Sequence, residues 1–172
     1  VPNRHAQALA RSSTRTIGLI VHDVSDPYFA QIARGVLEAA EARGHLVLIC
    51  NTYRDAEREL EYIQALRSQR VQAIILAGAG EVDAGVERRF GAGLRQAGGR
   101  TASIGRHAMA IDRVQPDNVE GARAVARHLV ALGHERVAVF AGRDVLTTVE
   151  DRIAGFRQGL RDAGLELEDA HV

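Results

Sequence analysis

Ile17-Gly18-Leu19-Ile20-Val21, followed after a short gap by Asp26-Pro27, decides how this chain folds. A short continuous apolar run reads as a strand covered on both faces. Asp26 then supplies a helix cap and Pro27 a first-turn proline. Behind them Phe29, Ile32, Ala33, Val36, Leu37 and Ala40 recur at helical spacing, one face of a helix that Gly44 closes. A buried strand feeding an amphipathic helix is half of a βαβ unit.

The pattern repeats downstream. Leu46 to Cys50 reads as the second strand. Asp55 opens a second helix with an apolar line of Ala56, Leu60, Ile63 and Leu66. Val71 to Ala77 is the third strand. A helix over residues 82–97, lined by Val82, Val86, Phe90 and Leu94, follows, weakened by Gly91 and Gly93. Thr101 to Gly105 and Ile111 to Val114 read as further strands. Asp117 or Asn118 caps a helix lined by Val119, Ala122, Ala126, Leu129 and Val130 and closed by Gly133. Arg136 to Ala141 reads as another buried strand. Thr148 to Ala163 reads as the last helix, lined by Val149, Ile153, Phe156 and Leu160. This alternation predicts an α/β fold with a doubly wound parallel sheet and right-handed crossovers. The connection from Gly105 to Asp117 lacks a crossover helix and is where a passage between two lobes is expected.

Upstream lies a different kind of sequence. Val1 to Ser12 (VPNRHAQALARS) and the residues just after it carry Arg4, His5, Arg11 and Arg15 with no acid. Asn3 can cap a helix from Arg4 to Arg11 that puts Ala6 and Leu9 on one face. A helix that short is marginal alone and folds against an anionic surface that also buries Leu9. Nucleic acid is therefore a candidate partner.

The whole-chain numbers narrow the chemistry. Basic and acidic residues balance at 22 each among 172 residues, so no global electrostatic footprint exists. All the basic side chains are arginine, which excludes P-loop, Schiff-base and receiver chemistry, each of which needs a lysine. Cys50 is the single cysteine, placed at a strand end and read as a structural thiol in a reducing compartment. No apolar run reaches the roughly 18 residues of a membrane span. Gly78-Ala79-Gly80 fails the dinucleotide pattern, because Asp83 stands where the third glycine belongs. The histidines show no pair at metal-ligand spacing on one helix face, and no serine sits in a nucleophile elbow. Neither an enzyme nor a bound cofactor is expected.

In such sheets ligands sit beyond the carboxyl ends of the strands. Candidates are therefore residues 22–29, 51–54, 78–80, 105–107 and 142–144. Within them Tyr28 lies off the core stripe and can stack on a ligand ring, whereas Phe29 also suits the core. Asp26, Asp117 and Asn118 serve equally as helix caps. Arg106 follows a strand end. Arg152, on the polar side of the last helix, has the donor fork for a hydroxyl, carboxylate or phosphate.

Taken in register, these stretches resemble the LacI/GalR family of bacterial transcriptional repressors. Val1-Pro2-Asn3 through Leu9 is similar to the hinge helix. Thr16 to Val21 and Asp26-Pro27-Tyr28-Phe29 are similar to the first strand and helix opening of the effector domain, with Asp26 where Asn is more usual. Cys50-Asn51-Thr52 follows the second strand as in many members. Asp117-Asn118, Gly121 and Ala131-Leu132-Gly133-His134 resemble the opening of the second lobe, and Arg152-Ile153-Ala154-Gly155-Phe156 the effector-binding arginine helix. The resemblance implies a periplasmic-binding-protein-like (type I) fold of two lobes. Residues 1–15 would be hinge and linker, 16–116 the N-terminal effector lobe, and 117–172 the start of a second lobe that is incomplete. It also implies a cytoplasmic homodimer or higher oligomer whose sugar-like effector, held between the lobes, changes affinity for operator DNA. The effector contacts would be Asp26, Tyr28, Phe29, Arg106, Asp117, Asn118 and Arg152. The DNA contacts would be Asn3, Arg4, Ala6, Leu9 and Arg11, with Leu9 wedged into the minor groove, and a helix-turn-helix lies outside this sequence. A transport solute-binding protein of the same fold is the competing reading.

Overall fold

A computed structural model of the protein describes residues 15–78, 100–107, 111–141 and 147–168. The hinge reading, with Asn3, Arg4, Ala6, Leu9 and Arg11, and the helix expected over 82–97 lie outside the described residues. The chain divides into two compact units, residues 1–115 and 116–172.

The first unit carries β1 (Thr16–Val21), α1 (Pro27–Glu41), β2 (Leu46–Asn51), α2 (Ala56–Ser68), β3 (Ala73–Ala77), β4 (Arg100–Ile104) and β5 (Asp112–Val114). The strands form one parallel sheet in the order β2-β1-β3-β4-β5. Because side chains alternate along a strand, β1 serves both faces. Leu19 and Val21 pack with Phe29 and Ala33 of α1. Ile20 packs with Ile63 and Leu66 of α2, and with Ile74 and Leu76 of β3. That two-sided cover is why IGLIV is continuously apolar. Leu19, Ile20, Ile63 and Leu76 are at most 1% exposed, and each contributes about 2 kcal/mol of burial. Gly18 gives Leu66 its place: a Cβ there would stand 2.4 Å from Leu66 Cδ1.

Two helix faces differ from the sequence reading. In α2 the buried line is Glu59, Ile63 and Leu66 at i, i+4 and i+7, whereas Ala56 is exposed and Leu60 half-buried. The helix is rotated so that a carboxylate, invisible to an apolar pattern, faces inward. In α1 the buried centre is Phe29, Ala33 and Ala40, which leaves Leu37 at the rim, exposed. Leu46, Leu48 and Ile49 are exposed because β2 is an edge strand.

The second unit carries α3 (Asn118–Ala131) and α4 (Thr147–Arg161). Ala126, Phe156, Leu160 and Leu167 form its core, with Val137 and Val139 half-buried against it. Residues 136–141, expected as a buried strand, are not one. Val137 and Val139 face the helices, while Phe140 is fully exposed. A strand needs a hydrogen-bonded neighbour, and among the described residues of this unit none lies beside it. No helix among the described residues is long and apolar enough to cross a membrane.

Candidate functional site

In the first unit the carboxyl ends of the strands are built from short local hydrogen bonds. Asp26 caps α1 by accepting from the Tyr28 amide at 2.9 Å. Tyr28 is half-exposed and stands edge-on to Phe29, ring centres 5.1 Å apart. Phe29 is buried, tilted against His22. A Cβ on Gly78, whose φ is +70°, would come within 2.4 Å of the Phe29 ring. Of the aromatic pair, Tyr28 therefore reaches solvent and Phe29 supports it. The Asn51 carboxamide oxygen accepts from the Val24 amide at 3.2 Å, tying the end of β2 to the turn after β1. Tyr53 and Arg54 both have positive φ, +52° and +65°, a conformation that costs non-glycine residues energy and clusters at functional edges. Arg58 lies over the exposed Tyr53 ring, 5.9 Å from its centre. Arg106 is exposed, one residue past the turn that ends β4.

His22 is buried at the end of β1, and no described group bonds its Nδ1. Burial, then the Arg54 charge, push its proton affinity below the ordinary imidazole value, and Glu59 partly opposes them. A histidine whose folded pKa is depressed takes up its proton more readily once unfolded. The fold therefore loses stability as pH falls through the ordinary value near 6.5. His22→Gln should flatten that acid limb in urea titrations between about pH 7 and about pH 5. An unchanged slope would remove His22 as its source. At the neighbouring strand end, burial pushes the Cys50 thiol up, away from nucleophilic use.

In the second unit three of the expected residues come together. Asp117 caps α3, accepting from the Glu120 amide at 2.9 Å. Arg152 of α4 donates from Nε to Asn118 Oδ1 at 2.9 Å. Between them opens a hollow of 330 Å³ lined by Asp117, Asn118, Gly121, Val125, Arg152 and Phe156, among others. Its lining is mainly apolar, from Val125, Val139 and Phe156 among others, with Arg152 and Asn118 also lining it. The Asn118 bond uses Nε only. Among the described residues the terminal N–H groups of the guanidinium have no protein partner. An anchored fork with free donors beside an apolar surface suits a hydroxylated ring. Among the described residues no His, Cys, Asp and Glu cluster fit to hold a metal ion is present.

His22, Tyr53, Arg54, Glu59 and His107 join the strand-end set without having been singled out individually. The positive φ of Tyr53 and Arg54 leaves no trace in residue type. Glu59 meets His107 across 48 residues of sequence, a separation no local pattern can bridge.

The parallel sheet with helices on both faces is a periplasmic-binding-protein-like fold. It matches, at TM-score 0.74 and 29% identity, a periplasmic binding protein/LacI transcriptional regulator from Alkaliphilus metalliredigens complexed with D-xylulofuranose, over 90% of this chain and 55% of that one. It also matches, at TM-score 0.73 and 26% identity, the Cra transcriptional dual regulator from Pseudomonas putida in complex with fructose 1-phosphate, over 89% and 56%. The chain belongs to the family of periplasmic binding proteins and sugar-binding domains of LacI type, which matches residues 14–172. Among its relatives are the transcriptional regulator DegA of Bacillus subtilis, 31% identical over 99% of this chain and 51% of its own length, and the maltose regulon regulatory protein MalI of Escherichia coli, 32% identical over 100% and 50%. The chain spans about half the length of these relatives.

Proposed function

We propose that this chain is the effector-sensing part of a LacI-type transcriptional repressor, and that its effector is a sugar or sugar derivative. The observation that carries this is the Arg152–Asn118 pair lining a mainly apolar hollow, in a chain of the LacI sugar-binding family. Arg152, Asn118 and Asp117 contact the effector from the second unit. In the first unit, taken by itself, Tyr28, Asp26 and Arg106 are the candidate effector residues, and Phe29 packs against Tyr28. In the whole protein, Asn3, Arg4, Ala6, Leu9 and Arg11 meet operator DNA, and the protein works as a cytoplasmic homo-oligomer. The regulators DegA and MalI among the relatives favour this reading over a transport solute-binding protein.

The test is calorimetric titration of the whole protein with pentoses, hexoses and their phosphates, followed by operator-binding assays with each binder. One binder that changes operator affinity supports the reading. A complete panel without binding, or binding with no change at the operator, overturns it. Leu9→Ala should weaken operator binding while leaving effector affinity unchanged; equal operator affinity would remove Leu9 from the interface.

A further inference from the structure

In the first unit the amino ends of the strands, opposite the candidate effector residues, carry a charge that the proposed function leaves unused. Arg15 precedes β1 and Arg100 opens β4. Arg43 follows α1, Arg67 lies in the last turn of α2, and Arg70 comes just after it. The parallel sheet sets these starts side by side. The Leu46 amide bonds Arg15 O at 2.8 Å, the Gln72 amide bonds Thr16 O at 2.8 Å, and the Arg100 amide bonds Gln72 O at 3.4 Å. His45 donates from Nε2 to Gln72 Oε1 at 2.8 Å, joining the approaches to β2 and β3. A Cβ on Gly44 would stand 3.6 Å from Arg15 Nη1, so the Arg15 side chain lies along the turn that carries Arg43. Arg43, Arg67, Arg70 and Arg100 border one hollow, whose described lining holds no carboxylate. Arg15, Arg43, Arg70 and Arg100 are exposed, and Arg67 is half-buried. The acid beside them is Glu41, the last residue of α1. In a chain whose charges balance overall, that is a local excess of one sign. Arg43 and Arg67 also complement the carboxyl ends of their helices. Arg15 and Arg100 precede strands and have no such use.

We propose that this arginine face of the first unit docks on the phosphate backbone of duplex DNA, beside the stretch that Asn3 to Arg11 meets. The choice of partner rests on the proposed function, to which this adds a second contact made by the globular domain itself. Chain continuity carries that choice. Residues 1–15 hold Arg4, His5, Arg11 and Arg15 and no acid, and they enter the sheet at Arg15, on this face. The four residues from Arg11 to Arg15 span at most ~14 Å in any conformation. A duplex held by Arg11 is therefore brought up to Arg15 and the arginines beside it. The duplex presents one negative charge per about 1.7 Å of its axis, and a guanidinium fork matches phosphate oxygens. Such contacts add affinity and fix orientation, and they carry no sequence information.

The test is the salt dependence of DNA binding by the whole protein. The probes are an operator duplex, selected from random sequences by the protein itself, and a random-sequence duplex of equal length. Log affinity falls linearly with log salt, with a slope set by the number of phosphate contacts. Arg43→Gln combined with Arg100→Gln should make the slope shallower by about two on both duplexes, and weaken both by the same factor. Sugar affinity should not change. Arg34→Gln, partway along α1 and paired with Glu38, should leave the slope as it is. Arg43 also donates to Ala39 O at 2.9 Å; if its loss unfolds α1, Arg15→Gln with Arg100→Gln carries the same expectation. An unchanged slope overturns the docking face. So does a loss confined to the operator, which is base reading, or an equal loss in Arg34→Gln, which is an effect of total charge. A whole protein that binds neither duplex overturns the proposed function and this face together. One that binds the operator and answers sugars, with the slope unmoved by the substitutions, overturns this face alone.

Discussion

Gly155→Ala should destabilise the second unit by about 3 kcal/mol, although helix propensity alone would make it stabilising by about 1 kcal/mol. The opposition of signs makes the measurement decisive. A Cβ at Gly155 would stand 2.0 Å from the Val119 carbonyl oxygen and 2.7 Å from its carbon. Both are backbone atoms in the first turn of α3, so no side chain can swing away. One turn on, a Cβ at Gly159 would stand 2.5 Å from the Arg123 carbonyl oxygen and 2.7 Å from Ala126 Cβ. Glycines four residues apart make a smooth stripe on α4, and α3 lies directly on it. An added methyl group must push the helices apart and open the core of Ala126, Phe156 and Leu160. It also moves Asn118, next to Val119, away from Arg152. Urea titration followed by the α3 and α4 amides reads the loss. Gly35 in α1 is the control, since a Cβ there would meet nothing within 4 Å. Gly35→Ala should gain up to about 1 kcal/mol. Equal gains at both positions would mean that the α3–α4 contact is looser than the structure has it.

What the sequence made legible was whatever a short period can encode. IGLIV, Asp26-Pro27 and the stripe from Phe29 to Ala40 gave β1 and α1 within a residue or two, and the same logic served β2, α2, β3, α3 and α4. Gly44 and Gly133 end their segments at positive φ, as their type foretold. The errors share a cause: each depends on a partner far away in the chain. RVAVFA has the composition of a buried strand, but a strand is defined by its neighbour. Glu59 is buried because His107 is there to meet it, so the α2 face could not be phased from its apolar residues alone. The site divides the same way. Asp117 as a cap follows from position, whereas its neighbour Asn118 meets Arg152 across 34 residues, a separation no local pattern bridges. Gly155 and Gly159 lie between the core positions Ile153, Phe156 and Leu160, and read as helix-weakening until α3 is seen to lie on them.

Arg152→Ala should weaken binding of whichever sugar or sugar phosphate the titrations identify by about 100-fold, equivalent to about 3 kcal/mol. Its effect on fold stability should stay within about 0.5 kcal/mol, the usual range for an exposed side chain away from special features. The asymmetry follows from the geometry. Arg152 is exposed and bonded only through Nε among the described residues, so the fold asks little of it. A ligand hydroxyl or phosphate oxygen in the hollow would receive terminal N–H donors already oriented by Asn118, with little rotamer entropy left to lose. Asn118→Ala removes that orientation and keeps the guanidinium, and should therefore cost less, about tenfold. Arg152→Lys restores the charge without the planar fork and should recover only a small part of the loss. The order Ala worst at 152, then Lys at 152, then Ala at 118, measured by calorimetry against the same ligand, distinguishes a bidentate contact from simple charge attraction. Full recovery by Lys would point to attraction alone. Unchanged affinity in Arg152→Ala, for a ligand that binds the unsubstituted protein, would move the effector away from α4.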